Sequence, residues 1–231
     1  GMVKRGPELA YSMYEHCLSF GAKYTYGNVT SIEVLDDKKI VRCKDKEYEC
    51  QYIYIATGTK ERKMNIENEE EMTGRGVSYC AVCDGAFYQD KVVAVIGGGN
   101  SALQEAILLS ELCKKVYVVQ NLEYLTGEAA LCKKIDEKNN IKVILSTTVD
   151  SIIGDNTFKG INVNTNGNIS ELKLDGMFVA IGLIPQNEAF ANVLSLNTYG
   201  YADYDENCTG DKAGVFVAGD CRSKAIRQVT T

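Results

Sequence analysis

The chain has 231 residues, enough for one large or two modest domains with cores of their own. Hydrophobic residues make up 45%, charged residues 24%, and the net charge is −6, an ordinary globular balance whose sign disfavours nucleic acid as a partner. No apolar run is long enough to cross a membrane and no signal-peptide pattern opens the sequence, so a soluble cytoplasmic protein is expected.

In chain order, Pro7 at a helix start and apolar Leu9, Met13, Cys17 and Phe20 predict a short amphipathic helix. His16, the single histidine, falls between these positions and is expected at the surface, so no Cys–His or Ser–His pair is in view. The pattern then changes to strands over Thr30–Leu35, Ile40–Cys43 and Tyr48–Ala56, the last ending in a buried-type stretch that runs into Thr57-Gly58. Glu61–Glu71 is polar and acidic and reads as a linker and domain boundary. Beyond it Val92–Ile96, Lys115–Val119 and Lys142–Ser146 predict parallel strands. Helices are predicted over Ala102–Leu112 and Leu131–Lys138, which completes a doubly wound α/β pattern. Ile152–Val163 and Ile169–Leu174 predict an antiparallel excursion around Asn166-Gly167. Buried strands follow at Gly176–Gly182 and Val215–Ala218. Ile55–Gly58 and Val179–Gly182 look like a repeat, each a strand ending in a small residue plus glycine.

Nine cysteines are scattered along the chain, which fits a reducing compartment where most serve as small buried hydrophobes. One pair has motif spacing: Cys80-Ala81-Val82-Cys83, followed by Asp84 and Gly85. Such a pair can close a small disulfide ring, a helix start lowers the pKa of its first thiol, and Asp84 offers a proton donor. The bland alternatives are half of a zinc site, a structural buried pair, and a thioredoxin-type motif.

Downstream, Gly97-x-Gly99-x-x-Ala102 stands between a predicted strand and a predicted helix. Gly97 would take the tight turn, Gly99 would admit a pyrophosphate, and Ala102 would allow close helix packing. Asn100 and Ser101 would open the helix whose N-terminus faces the phosphates. The following strand ends in Gln120-Asn121-Leu122-Glu123-Tyr124-Leu125-Thr126, with no Lys or Arg to meet a 2′-phosphate and Glu123 as a late candidate for a ribose contact. These residues disfavour NADPH. They leave NADH, or a donor that is not a pyridine nucleotide, open.

Taken together, Ile55–Gly58, Cys80–Gly85, Gly97–Ala102, Phe178–Gly182, Val217–Asp220 and Arg227-Gln228 stand in the order found in low-molecular-weight thioredoxin reductases, and the sequence resembles that family over nearly its whole length. The resemblance implies an α/β, two-domain Rossmann-like flavoprotein disulfide reductase. A central pyridine-nucleotide-type domain at 61–182 would be flanked by parts of an FAD-binding domain at 1–60 and 183–231. It implies FAD, with Thr57 and Gly58 approaching it, Asp220 accepting from the ribitol hydroxyls, and Arg227 and Gln228 lining the isoalloxazine. Cys83 would be the flavin-proximal sulfur, Cys80 the one that attacks a partner disulfide, and Asp84 the acid that protonates the leaving thiolate.

A rotation of one domain against the other is implied too, with hinges at 59–64 and after Gly182. The partner implied is thioredoxin or a similar small dithiol protein, and the assembly a homodimer. Against the family's pattern, the basic His-Arg-Arg-x-x-x-Arg motif for NADPH is replaced at Gln120–Thr126, a departure compatible with relatives that take electrons from ferredoxin. The family's first FAD turn is expected to fall outside this sequence, and its flavin-facing helix to begin near Thr231. A peroxiredoxin-system disulfide reductase and a non-catalytic dinucleotide-binding module are the rival readings.

Overall fold

The computed structural model describes residues 6–224. Contacts divide it into two units: Thr59–Pro185, and the described residues on either side, which end at Gly58 and resume at Gln186.

The chain opens with α1 (Gly6–Ser19). The helix forms as predicted, but the apolar stripe is not buried: Leu9, Met13 and Cys17 are exposed, and Phe20 beyond the helix is 82% exposed. His16 is exposed, with its ring edge-on to Phe20. Next comes an antiparallel meander of β1 (Val29–Val34), β2 (Lys39–Cys43) and β3 (Lys46–Cys50). Its turns are charged and its strands are tied across by Arg42 to Glu33 and Glu47. The single strand predicted over Tyr48–Ala56 is two. The chain leaves the meander at Gln51, whose carbonyl accepts from the buried Lys39 ammonium, and restarts as β4 (Ile53–Ile55) in a separate sheet.

The second unit is entered through β5 (Thr59–Glu61). Residues 62–76 are mostly exposed, as a linker would be, but three of them, Glu69, Met72 and Gly76, are buried. Glu69 is turned inward, 3% exposed, and accepts from the backbone N–H groups of Met64 and Asn65 and from the Tyr79 hydroxyl. The chain continues through β6 (Val77–Ser78), α2 (Ala81–Asp84), β7 (Val92–Ile96), α3 (Asn100–Ser110), β8 (Lys115–Val119), α4 (Ala129–Asp136) and β9 (Ile141–Ile144). Three antiparallel strands follow, β10 (Thr147–Ile153), β11 (Gly160–Thr165) and β12 (Asn168–Lys173), then β13 (Gly176–Val179) and β14 (Leu183–Pro185). β14 pairs antiparallel with β5, so the chain enters and leaves this unit along one ribbon.

The five-stranded parallel sheet has the order β6-β13-β7-β8-β9. Alternate residues of its strands feed two cores. Val93, Val95, Val116, Val118 and Phe178 face the helices with Leu103, Ala106, Leu109 and Ile135. Ala94, Ile96, Val119, Met177 and Val179 face Phe158, Ile161, Val163 and Leu174. The doubly wound expectation is thereby corrected in one respect: one face carries the crossover helices, while the other is covered by the antiparallel sheet β10-β11-β12. The excursion has three strands, not two. The predicted strand Ile152–Val163 is broken at 154–159, and the Asn166-Gly167 turn joins β11 to β12.

In the flanking unit, β15 (Val215–Val217) pairs parallel with β4. Ile53, Ile55, Val215 and Val217 pack with Ile32, Phe190, Val193 and Leu194. Of the seven free cysteines among the described residues only Cys113 and Cys221 are buried, fewer than the scatter suggested.

Candidate functional site

β6 delivers the chain to the dithiol. Cys80 is the N-cap of α2, and its sulfur is bonded to that of Cys83, with the two Cα atoms 5.3 Å apart. The Cys83 N–H reaches the Cys80 sulfur at 3.2 Å. The turn is closed by Cys83 N–H and Asp84 N–H donating to the Cys80 carbonyl. Cys83 is exposed and Cys80 half-buried. Val82, at 83% exposure, and Phe87, at 74%, are exposed apolar side chains within the next few residues of the chain. Among the described residues no cluster of three or more His, Cys, Asp or Glu of metal-binding type occurs.

Asp84 is not loose beside the sulfurs. The buried Ser78 hydroxyl donates to its carboxylate at 2.7 Å and accepts from the Cys80 N–H at 3.1 Å. One side chain thus fixes both ends of the Cys80–Asp84 turn. Sequence reasoning passed over Ser78; a hydroxyl two residues before the first cysteine was the available signal. Tyr79, between them, is held by Glu69, and burial together with that carboxylate raises its hydroxyl above the usual phenol range.

The glycine turn lies in the same unit and lines a cleft of about 760 Å³. Gly97, Gly99, Asn100 and Ser101 are on its wall, whereas Ala102 is fully buried behind it. Gly97 has φ +127°, and a Cβ there would stand 2.4 Å from the Ala180 carbonyl oxygen. Gly99 caps α3 without a side chain, so the first backbone N–H groups of that helix are available to an anion in the cleft.

Across from the turn, segment 120–128 is tied down. The Gly98 carbonyl accepts from Thr126 and Gly127, and Asn100 exchanges two hydrogen bonds with Glu128. Gln120 is buried against Gly98, and Glu123, the ribose candidate, is not on the wall. Arg62 is the one Lys or Arg among the lining residues, and Cys80 and Cys83 are not among them.

The remaining sequence candidates sit in the flanking unit. Thr57 is exposed, with its hydroxyl 3.3 Å from the Asn187 side-chain oxygen, and Asn187 in turn donates to the Gly200 and Cys221 carbonyls. Gly58 has φ +67° and nothing within 4 Å of where a Cβ would stand. Asp220 lies in a short turn after β15 and pairs with Lys224 at 3.3 Å. Arg227 and Gln228 lie outside the described residues.

Residues 2–231 match the family model described as pyridine nucleotide-disulphide oxidoreductase. The chain is 38% identical to the thioredoxin reductase of Bacillus subtilis, covering 98% of this chain and 72% of that one. It is 39% identical to a 34.2 kDa protein of the rubredoxin operon of Clostridium pasteurianum, covering 99% of this chain and 75% of that one. Among solved structures it resembles Lactococcus lactis thioredoxin reductase in its FR conformation, at 34% identity and a TM-score of 0.79, over 98% of this chain and 76% of that one. The chain belongs to the pyridine nucleotide-disulphide oxidoreductases and, within them, to the low-molecular-weight thioredoxin reductase family.

Proposed function

We propose that this chain passes electron pairs through the Cys80–Cys83 disulfide to the disulfide of thioredoxin or a similar small dithiol protein. The observation that carries the reading is the exposed disulfide whose neighbouring carboxylate is held in place by Ser78. Reduction opens the S–S bond. Cys80 then attacks the partner disulfide, and Asp84 takes a proton from the reduced dithiol and passes it to the thiolate that leaves. Val82 and Phe87 offer the partner an apolar surface.

The residues present fit a flavin. The Gly58 backbone faces open space, and the Asp220 carboxylate is 39% exposed. Thr57, Gly58 and Asp220 would hold FAD, with Arg227 and Gln228 assigned to it by family resemblance. When bound, FAD supplies the electrons that open the disulfide. Segments 1–60 and 183–231 are assigned to that cofactor, 61–182 to the dithiol and the cleft, and the ribbon of β5 and β14 is the proposed pivot.

The cleft fits a dinucleotide, since its wall presents uncapped helix N–H groups and glycine backbone. With no cation on the 119–126 side to meet a 2′-phosphate, NADH is the proposed donor over NADPH. A homodimer and a cytoplasmic location complete the reading.

Anaerobic addition of NADPH and then NADH to the FAD-loaded full chain, followed at the flavin band, tests the donor. Bleaching by NADH supports the reading. Bleaching by dithionite alone moves the donor to ferredoxin. Oxidised thioredoxin and a peroxiredoxin are then offered separately. Thiols should appear in thioredoxin with the parent chain and not with Cys80→Ser, while the flavin is still reduced. Retained turnover in that variant, or thiols only in the peroxiredoxin, would overturn the partner assignment.

A further inference from the structure

Beneath the dithiol, α3 carries a carboxyl that no motif marks. α2 lies on α3: Ala81 is buried in one cluster with Ala102, Ala106 and Leu109. An added carbon at Gly85 would come within 3.2 Å of Leu109. Glu105 lies at this contact. One of its carboxyl oxygens is out of reach of solvent and has no hydrogen-bond partner among the described residues. Its polar neighbour is the backbone N–H of Ala81, the amide next to Cys80. Burial pushes the carboxyl up to about 7, and the Ala81 amide pulls it the other way.

Other titratable groups stand on the elements packed against α3. α2 and the turn after it carry the two cysteines, Asp84 and Tyr88. α4 carries Cys132, Lys133, Lys134 and Asp136, β8 carries Lys115 and Tyr117, and β7 carries none. Asp84 is already engaged by Ser78. Glu105 is therefore an acid at the base of the dithiol turn with one free oxygen, placed where a new negative charge on a sulfur favours its protonated form.

We propose that Glu105 takes up the proton that the reduced dithiol gives up, so that this carboxyl and the Cys80–Cys83 couple change state together. The inference rests on the redox role proposed above. When a dithiol reductant delivers two electrons, the S–S bond breaks and the reductant becomes a disulfide. One of its protons ends on a cysteine sulfur and the other on the Glu105 carboxylate, leaving the second cysteine a thiolate. Reoxidation by a partner disulfide returns both protons to the partner's two sulfurs. Glu105 acts through the electrostatics of the turn, as a positioning residue for charge, and an ionised Glu105 opposes the thiolate.

The test uses the full chain reduced with dithiothreitol, freed of reductant anaerobically and alkylated with iodoacetamide across the pH range, with Cys80 and Cys83 read by mass mapping. The parent chain should show a split profile, because two groups titrate together. Glu105→Gln, neutral and of equal size, should show one inflection at lower pH, with alkylation below that midpoint faster by about threefold or more. Coincident profiles overturn the proposal.

If Glu105→Gln does not fold, the parent chain decides. Its disulfide is reduced by dithiothreitol in weak buffer with a pH indicator, at a pH where ultraviolet absorbance shows one sulfur ionised. Retention of the proton by the protein supports the proposal; release of about one proton per disulfide overturns it. A disulfide that dithiothreitol does not open would sink the redox role itself. A disulfide that cycles with unaltered proton behaviour sinks only the role of Glu105.

Discussion

β13 and β4 end alike, in Ala180-Ile181-Gly182 and Ala56-Thr57-Gly58, yet they live in opposite surroundings. β13 is buried at every position, paired on both edges and covered on both faces. β4 alternates. Ile53 and Ile55 are buried, whereas Tyr54 is 71% exposed and stacks on Phe216 of β15, its one partner strand among the described residues. A strand covered on both sides reads as a continuous apolar run, and Met177-Phe178-Val179 does. Tyr52-Ile53-Tyr54-Ile55 reads the same way only if tyrosine is counted as core; taken as amphipathic, it spells the alternation that the structure shows. A shared strand-and-glycine ending therefore reports the path of the backbone, and the intervening residues report what covers it.

The comparison is broken most severely at Phe178, which has no exposed surface and meets the Tyr88 ring edge-on. Phe178→Ala should cost about 3–5 kcal/mol, read as lost hydrogen-exchange protection of the Val92–Ile96 amides. Protection within about 1 kcal/mol of the parent would mean that β13 is not packed on both faces.

The two glycine turns come next. Gly97→Ala must place a methyl against the Ala180 carbonyl at a φ that L-residues avoid, so a loss of about 2 kcal/mol or more is expected, together with lost nucleotide binding in the cleft. Gly58→Ala shares the unfavourable φ but meets open space, and should cost about 1 kcal/mol. Calorimetric binding of NADH and urea unfolding of both variants check the pair, and equal losses would refute the steric part.

The strands and helices that hold the cleft were legible because each was set by local pattern: the apolar run Val92–Ile96, the glycine turn after it, the helix to Ser110, and Lys115–Val119. The antiparallel sheet β10-β11-β12 was misread because its break at 154–159 interrupts an otherwise strand-like stretch. The acidic stretch around Glu69 was read as a linker. Its carboxylate turns inward only because the backbone of Met64 and Asn65 and the hydroxyl of Tyr79 converge on it, and no spacing rule reports such convergence. Cys80, Cys83 and Asp84 were visible as a motif. Ser78 and Glu105 were not, since one hydrogen-bonds across the turn and the other stands on the helix packed against it. The stripe of α1 shows the converse limit: periodicity predicted the helix, and among the described residues nothing covers the face it predicted as buried.

The smallest expected effect is at Tyr54, and it sharpens the opening contrast. Its ring lies 4.7 Å from that of Phe216 at an interplanar angle of 15°, on the outer face of β4 and β15. A stacked pair that remains largely in water keeps only part of the 0.5–1.5 kcal/mol that such pairs contribute beyond area burial, so Tyr54→Ala should cost about 1 kcal/mol or less. A double-mutant cycle of Tyr54→Ala with Phe216→Ala should give a coupling of about 0.5 kcal/mol, because the two rings stack directly while the Tyr52 ring stands farther from Phe216, at 6.5 Å. Urea unfolding of the four proteins supplies the cycle. A loss at Tyr54 approaching that at Phe178 would mean that this outer face is covered in solution, and β4 would then be packed on both faces as β13 is.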